Sequence, residues 1–212
     1  MAAPTRCFSV TPISCFFESY FTVDHPDRAP CNTITFIESD TSPDHKHIVA
    51  WLEGGVVQLE LRDHVLASFT TATPGITATW VCPRFDHRAT TQSIHLYTVE
   101  GGAVYVRKST TGIGGFGARA LIAATGSTVT ACHGLNRINY VYWLDGTAVK
   151  GRRYDAAGNA LEAAFTAIAT VDAIAPAATC APIKAGGHRV ILWYVSAGVK
   201  TFKTSIDGIT FV

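Results

Sequence analysis

"IVAWLEGGVV", Ile48 to Val57, reads as an alternating apolar strand, a Gly54-Gly55 turn and the start of a second strand. That is the pattern of a β-hairpin closed by residues free to take positive φ. The same aromatic, acid and turn return in "YVYWLDGTAV", Tyr140 to Val149. Four hairpins fall into one alignment: "IVAWLEGGVVQLEL", "IHLYTVEGGAVYVRK", "YVYWLDGTAVKGRR" and "VILWYVSAGVKTFK". Their aromatic positions, Trp51, Tyr97, Trp143 and Trp193, are 46, 46 and 50 residues apart. A fixed interval of this size marks a repeat architecture.

A second column keeps the same period. Cys31, Cys82, Cys132 and Cys180 are 51, 50 and 48 residues apart, each upstream of one aromatic hairpin. Within a period four strands can be placed: a Thr/Val/Ala-rich strand ending near the cysteine, the aromatic strand, a third such as Val56 to Leu61 or Val104 to Lys108, and a fourth. In "RRYDAAGNALEAAF" the fourth is expected at Ala160 to Phe165, after a turn at Ala156 to Asn159. The expectation is an all-β chain, a β-propeller-like repeat of about four four-stranded antiparallel blades, either complete or part of a larger propeller. A β-sandwich would not need equivalent columns at a constant interval. Residues 27–212 divide into repeats at about 27–75, 76–125, 126–175 and 176–212, the last cut short at "GITFV". Residues 1–26 are expected to be a strand-like segment that could close the ring.

Composition agrees with tightly packed strands. Of 212 residues, 48% are hydrophobic and only 16% charged, enough apolar surface for a substantial core. The net charge of +1 gives no electrostatic reason to expect nucleic acid or an anionic membrane as partner. No apolar run approaches the roughly 20 residues that span a bilayer. Pro12 and Glu18 interrupt any signal-like stretch at the start, so no signal peptide is read there.

The chemistry-bearing residues form no catalytic or metal constellation. The six cysteines, Cys7, Cys15, Cys31, Cys82, Cys132 and Cys180, include no C-x-x-C; they read as buried thiols that pack as small hydrophobes. Four histidines follow an aspartate, at Asp24-His25, Asp44-His45, Asp63-His64 and Asp86-His87, but neighbours on a strand point to opposite faces. His45 and His47 would share a face, with no third ligand in view. "GIGGFG" matches G-x-G-x-x-G at Gly112, Gly114 and Gly117, yet lacks the following helix and acid of a dinucleotide site. Ser196 in "YVSAG" lacks the first glycine of a nucleophile elbow. No cofactor is expected.

The column aromatics Trp51, Tyr97, Trp143 and Trp193 are weak candidates for stacking on a sugar; the favoured reading is core between neighbouring sheets. "TSIDGITF" resembles the Asp-box of sialidase-like propellers, with Ser205, Asp207, Gly208, Thr210 and Phe211 matching in kind and one residue missing between Asp and Gly. In that family the box braces the blade. The degenerate repeats, such as "YVYWLDGTAVKGRRYDAAGNALEAAF", resemble the propeller region of nozzle (tail tubular) proteins of short-tailed bacteriophages. That resemblance implies a non-enzymatic virion component, assembled in the host cytoplasm as a homo-oligomer with other virion or scaffold proteins. The alternatives are a carbohydrate-binding propeller that recognises a cell-surface glycan and, behind it, a sialidase-like glycoside hydrolase.

Overall fold

Two-residue turns set the strand pairs. Gly54 and Gly55 take φ of 57° and 79°, and Gly101 and Gly102 take 58° and 80°, values that cost a glycine little and an L-residue considerably more. Register is counted from these turns. Glu53 pairs with Val56, Glu100 with Ala103, Asp145 with Ala148 and Ser196 with Val199.

The computed structural model describes residues 33–37, 46–63, 68–86, 93–134, 136–155, 157–182 and 187–212. They form an all-β, propeller-like array of four antiparallel sheets. The first sheet contains β1 (Thr33–Ile37), β2 (Lys46–Glu53), β3 (Val56–Asp63) and β4 (Ser68–Ala72). The second contains β5 (Trp80–Asp86), β6 (Ser93–Glu100), β7 (Ala103–Ser109) and β8 (Ala120–Ala123). The third contains β9 (Thr128–His133), β10 (Asn139–Asp145), β11 (Ala148–Tyr154) and β12 (Phe165–Ile168). The fourth has three strands among the described residues, β13 (Ala177–Pro182), β14 (His188–Ser196) and β15 (Val199–Ser205). Each sheet is a meander in chain order, as the repeat predicts, and β5, β9 and β13 carry Cys82, Cys132 and Cys180.

Consecutive sheets stack through three apolar clusters. Ile48, Ala50 and Leu52 meet Val81, Ile94 and Leu96 between the first two sheets. Tyr97 and Val99 meet Val129, Val141 and Trp143 between the next two. Tyr140, Tyr142 and Leu144 meet Ala178, Val190 and Leu192 between the last two. First strands run beside first strands, β5 against β1 and β9, and β9 against β13.

Connectors lock the array. Ala78 N–H donates to Gly55 O in the turn behind it, and Thr79 N–H donates to Val99 O in the sheet ahead. Gly126 and Ser127 do the same with Gly102 and Leu144, and Val171 and Asp172 with Thr147 and Val195. Each linker thus satisfies its own backbone by joining two sheets, which buried amides require.

The fourth strand of the third sheet begins later than expected, at Phe165 rather than Ala160. Asp155 accepts from Asn159 N–H (2.8 Å), and Glu162 accepts from Arg153 N–H (2.7 Å), so side chains replace the ladder between these points. Ala160 keeps one isolated bridge, to Tyr154.

The Asp-box-like segment is a brace. Asp207 accepts from Ser205 Oγ (2.6 Å) and from the N–H groups of Ile209 (2.8 Å) and Thr210 (2.9 Å). Burial raises its pKa, but these bonds outweigh that and hold it at about 2. Gly208 O accepts from Tyr142 Oη at 2.7 Å, and Phe211 meets the Tyr142 ring edge-on. The fourth sheet is thereby pinned under the third. "GIGGFG" lies in the connection from β7 to β8, with no helix after it.

Candidate functional site

The aromatic column divides between two faces. Counted from the turn pairs, Trp51 and Trp143 stand two residues before Glu53 and Asp145, whereas Tyr97 and Trp193 stand three before Glu100 and Ser196. A one-residue offset turns a side chain to the other face of a sheet. The position equivalent to Trp143 is therefore Thr98 in the second sheet and Tyr194 in the fourth. Trp51, Tyr97 and Trp143 are enclosed, at 7%, 2% and 2% exposure; Trp193 is 46% exposed. It lies on the outer face of the fourth sheet, opposite its register partner Phe202, with ring centroids 4.7 Å apart. Phe202 is likewise half-exposed.

Thr98 replaces an aromatic at the junction of the first two sheets, and a polar groove lies there. The groove, of about 700 Å³, is lined by Pro74 to Thr77 from the first connector and by Glu100, Tyr105, Arg107 and Arg119 from the second sheet. Register explains the grouping. Thr98 faces Tyr105 and Leu96 faces Arg107 across the β6–β7 ladder, placing Thr98, Glu100, Tyr105 and Arg107 on one face.

Arg107 holds Glu100 through both guanidinium nitrogens, Nη1 to Oε1 and Nη2 to Oε2 (3.1 Å). Arg119 Nη1 donates to Glu100 Oε2 at 2.8 Å, and Thr98 Oγ1 donates to Oε1 at 2.5 Å. Burial raises the Glu100 pKa, but the Arg107, Thr98 and Arg119 bonds overcome it and hold the group at about 2. Arg107 is largely buried, while Arg119 is half exposed and lies 4.3 Å from the Tyr105 ring centroid. A forked donor stacked on an aromatic beside a fixed carboxylate offers donors, acceptors and an apolar face at once.

Sequence reasoning did not single out this cluster. Thr98, Glu100, Tyr105 and Arg107 alternate across "YTVEGGAVYVRK", a signal that was present once the turn had been placed. Arg119 arrives from beyond the glycine-rich connection and has no such signal. Of the earlier candidates, Cys7, Cys15, Cys31, the Asp24-His25 and Asp44-His45 pairs, His64 and His87 lie outside the described residues. Cys82, Cys132 and Cys180 are buried, and none of them is in a disulfide. Among the described residues no group of three or more His, Cys, Asp or Glu is placed to hold a metal, and no helix is long and apolar enough to cross a membrane.

No protein-family model and no curated protein matches the chain. Among solved structures, an arginine-to-alanine triple mutant of AofleA from Arthrobotrys oligospora superposes on it with a TM-score of 0.62. The likeness is one of fold. Identity is 14%, and the match covers 85% of this chain and 54% of the AofleA chain, so the present chain spans about half of that protein.

Proposed function

We propose that the chain is a non-enzymatic carbohydrate-binding propeller whose saccharide site is the groove between the first and second sheets. The observation that carries this reading is Arg119, stacked on Tyr105 and tied to Glu100 at the mouth of the groove. A sugar ring presents vicinal hydroxyls and an apolar C–H face, which suits such a combination. Glu100 is the single carboxylate among the described lining residues, whereas glycoside hydrolysis ordinarily uses two; this favours binding over hydrolysis. Two arginines against one glutamate leave the groove with one net positive charge, which suits an acidic saccharide.

The test is a glycan array probed with the wild-type protein and with Arg119→Ala. Arg119 is half exposed and Arg107 still holds Glu100 without it, so the variant should fold with unchanged thermal stability. Binding should fall about tenfold or more, the effect of losing one charge-assisted hydrogen bond. Undiminished binding by the variant, or no glycan bound by the wild type, overturns the reading.

A second reading, an assembly subunit, is favoured by the open Trp193–Phe202 face, since aromatic pairs are typical anchors of interfaces. Its test is native mass: an oligomer that dissociates on Trp193→Ala supports it, and a wild-type monomer sinks it. The more specific phage-tail role rests on the sequence resemblance and draws no support from the comparisons.

A further inference from the structure

The cysteine column, like the aromatic one, divides between two faces. Cys132 pairs in register with Tyr140, which packs toward the fourth sheet, so Cys132 points forward. Cys180 pairs with Val190, which packs toward the third sheet, so Cys180 points back. Two members of one sequence column therefore meet across an interface, with Sγ atoms 3.0 Å apart. Cys82 pairs with Tyr97 and belongs to the preceding interface.

The strands that carry the two thiols are already aligned. Ala178 N–H donates to Thr130 Oγ1 at 3.2 Å, two residues earlier on each strand and with the same separation of 48 residues. Both sulfurs lie in the apolar cluster between the sheets, where Cys132 is fully buried and Cys180 is 8% exposed. Closing the gap to a bond of about 2 Å needs a shift of roughly 1 Å.

We infer that Cys132 and Cys180 are a modification site: an oxidant-formed disulfide that staples the third sheet to the fourth. With hydrogen peroxide as oxidant, the more accessible Cys180 thiol is converted to a sulfenic acid and one water is released. The Cys132 sulfur then attacks the Cys180 sulfur, forming the S–S bond; the sulfenic hydroxyl leaves with the Cys132 proton as a second water. Two thiols are oxidised and one peroxide is reduced. The bond closes a 48-residue stretch of chain, so the unfolded ensemble is restricted while two aligned strands move little.

The experiment is peptide mapping of the full chain after mild peroxide treatment, with alkylation in denaturant and no reductant. Trypsin leaves each thiol in a separate peptide, Cys132 in 120–137, Cys180 in 154–184 and Cys82 in 63–84. A cross-linked pair of the first two, lighter than their sum by two hydrogen atoms, is expected, with a higher melting temperature that dithiothreitol reverses. Cys132→Ser and Cys180→Ser should each abolish the cross-link, and Cys82→Ser should leave it intact. Cys132 joined to Cys82, or both thiols still fully alkylated after oxidation, overturns the inference; the wild-type map decides this even if a serine variant does not fold.

Discussion

Tyr140 Oη lies 2.9 Å from His188 Nε2, a residue 48 positions later on the facing sheet. Asn136 Nδ2 donates to the same hydroxyl at 3.1 Å. The repeat interval thus becomes a contact: residues one period apart touch across the sheet interface. Tyr140→Phe removes a hydroxyl that both groups contact and should cost about 1 kcal/mol in urea denaturation, the usual net value of an intramolecular hydrogen bond.

The same tyrosine gives an alkaline prediction. Burial, offset only in part by the Asn136 bond, raises its pKa to about 12 from 10.0. A group whose folded pKa is raised contributes stability in full below the unfolded value and loses it as pH climbs through the folded one. Midpoints measured from pH 9 upward, a range set by that ordinary phenol value, should fall more steeply for the wild type than for Tyr140→Phe.

Acid should act through the groove. Glu100, at about 2 instead of 4.5, contributes stability that is complete above pH 4.5 and is lost as pH drops toward 2. Glu100→Gln should flatten the pH dependence of melting temperature in that window and leave its alkaline limb unchanged.

Two left-handed positions predict opposite signs. Ala197 takes φ of 51° at the turn position held by Gly54, Gly101 and Gly146 elsewhere. Ala197→Gly should stabilise by up to about 1 kcal/mol in a melting curve by relieving that conformation. Gly208 has φ of 73°, and a Cβ there would lie 2.2 Å from ring carbons of Tyr140. Gly208→Ala should therefore destabilise by at least about 2 kcal/mol in the same assay.

The two tryptophans Trp143 and Trp193 should also part company. Trp143→Ala empties a sealed space between sheets and should cost about 3–5 kcal/mol by chemical denaturation. Trp193→Ala removes a side chain already half in water and should cost clearly less.

Period and strand order were legible because glycine turns and cysteines mark each repeat without reference to its neighbours. Facing was not. "WLEGG" and "YTVEGG" differ by one residue between aromatic and turn, and only the hydrogen-bonded register shows that Thr98, not Tyr97, corresponds to Trp143. The groove escaped for the same reason, because its charged residues become a cluster only when Thr98 is placed where an aromatic would otherwise fill the space. Arg119 joins from a connection whose path no periodicity encodes.

The open outer face of β14 and β15 sets a direction for unfolding. Sheets stacked on both sides, such as β9 to β11, exchange free energy with two neighbours, whereas β14 and β15 have one among the described residues. Linear arrays of this kind fray from the less-coupled end. Amide hydrogen exchange should therefore be fastest in β15 and slowest in β10, a gradient running along the stack like the melting of a zipper.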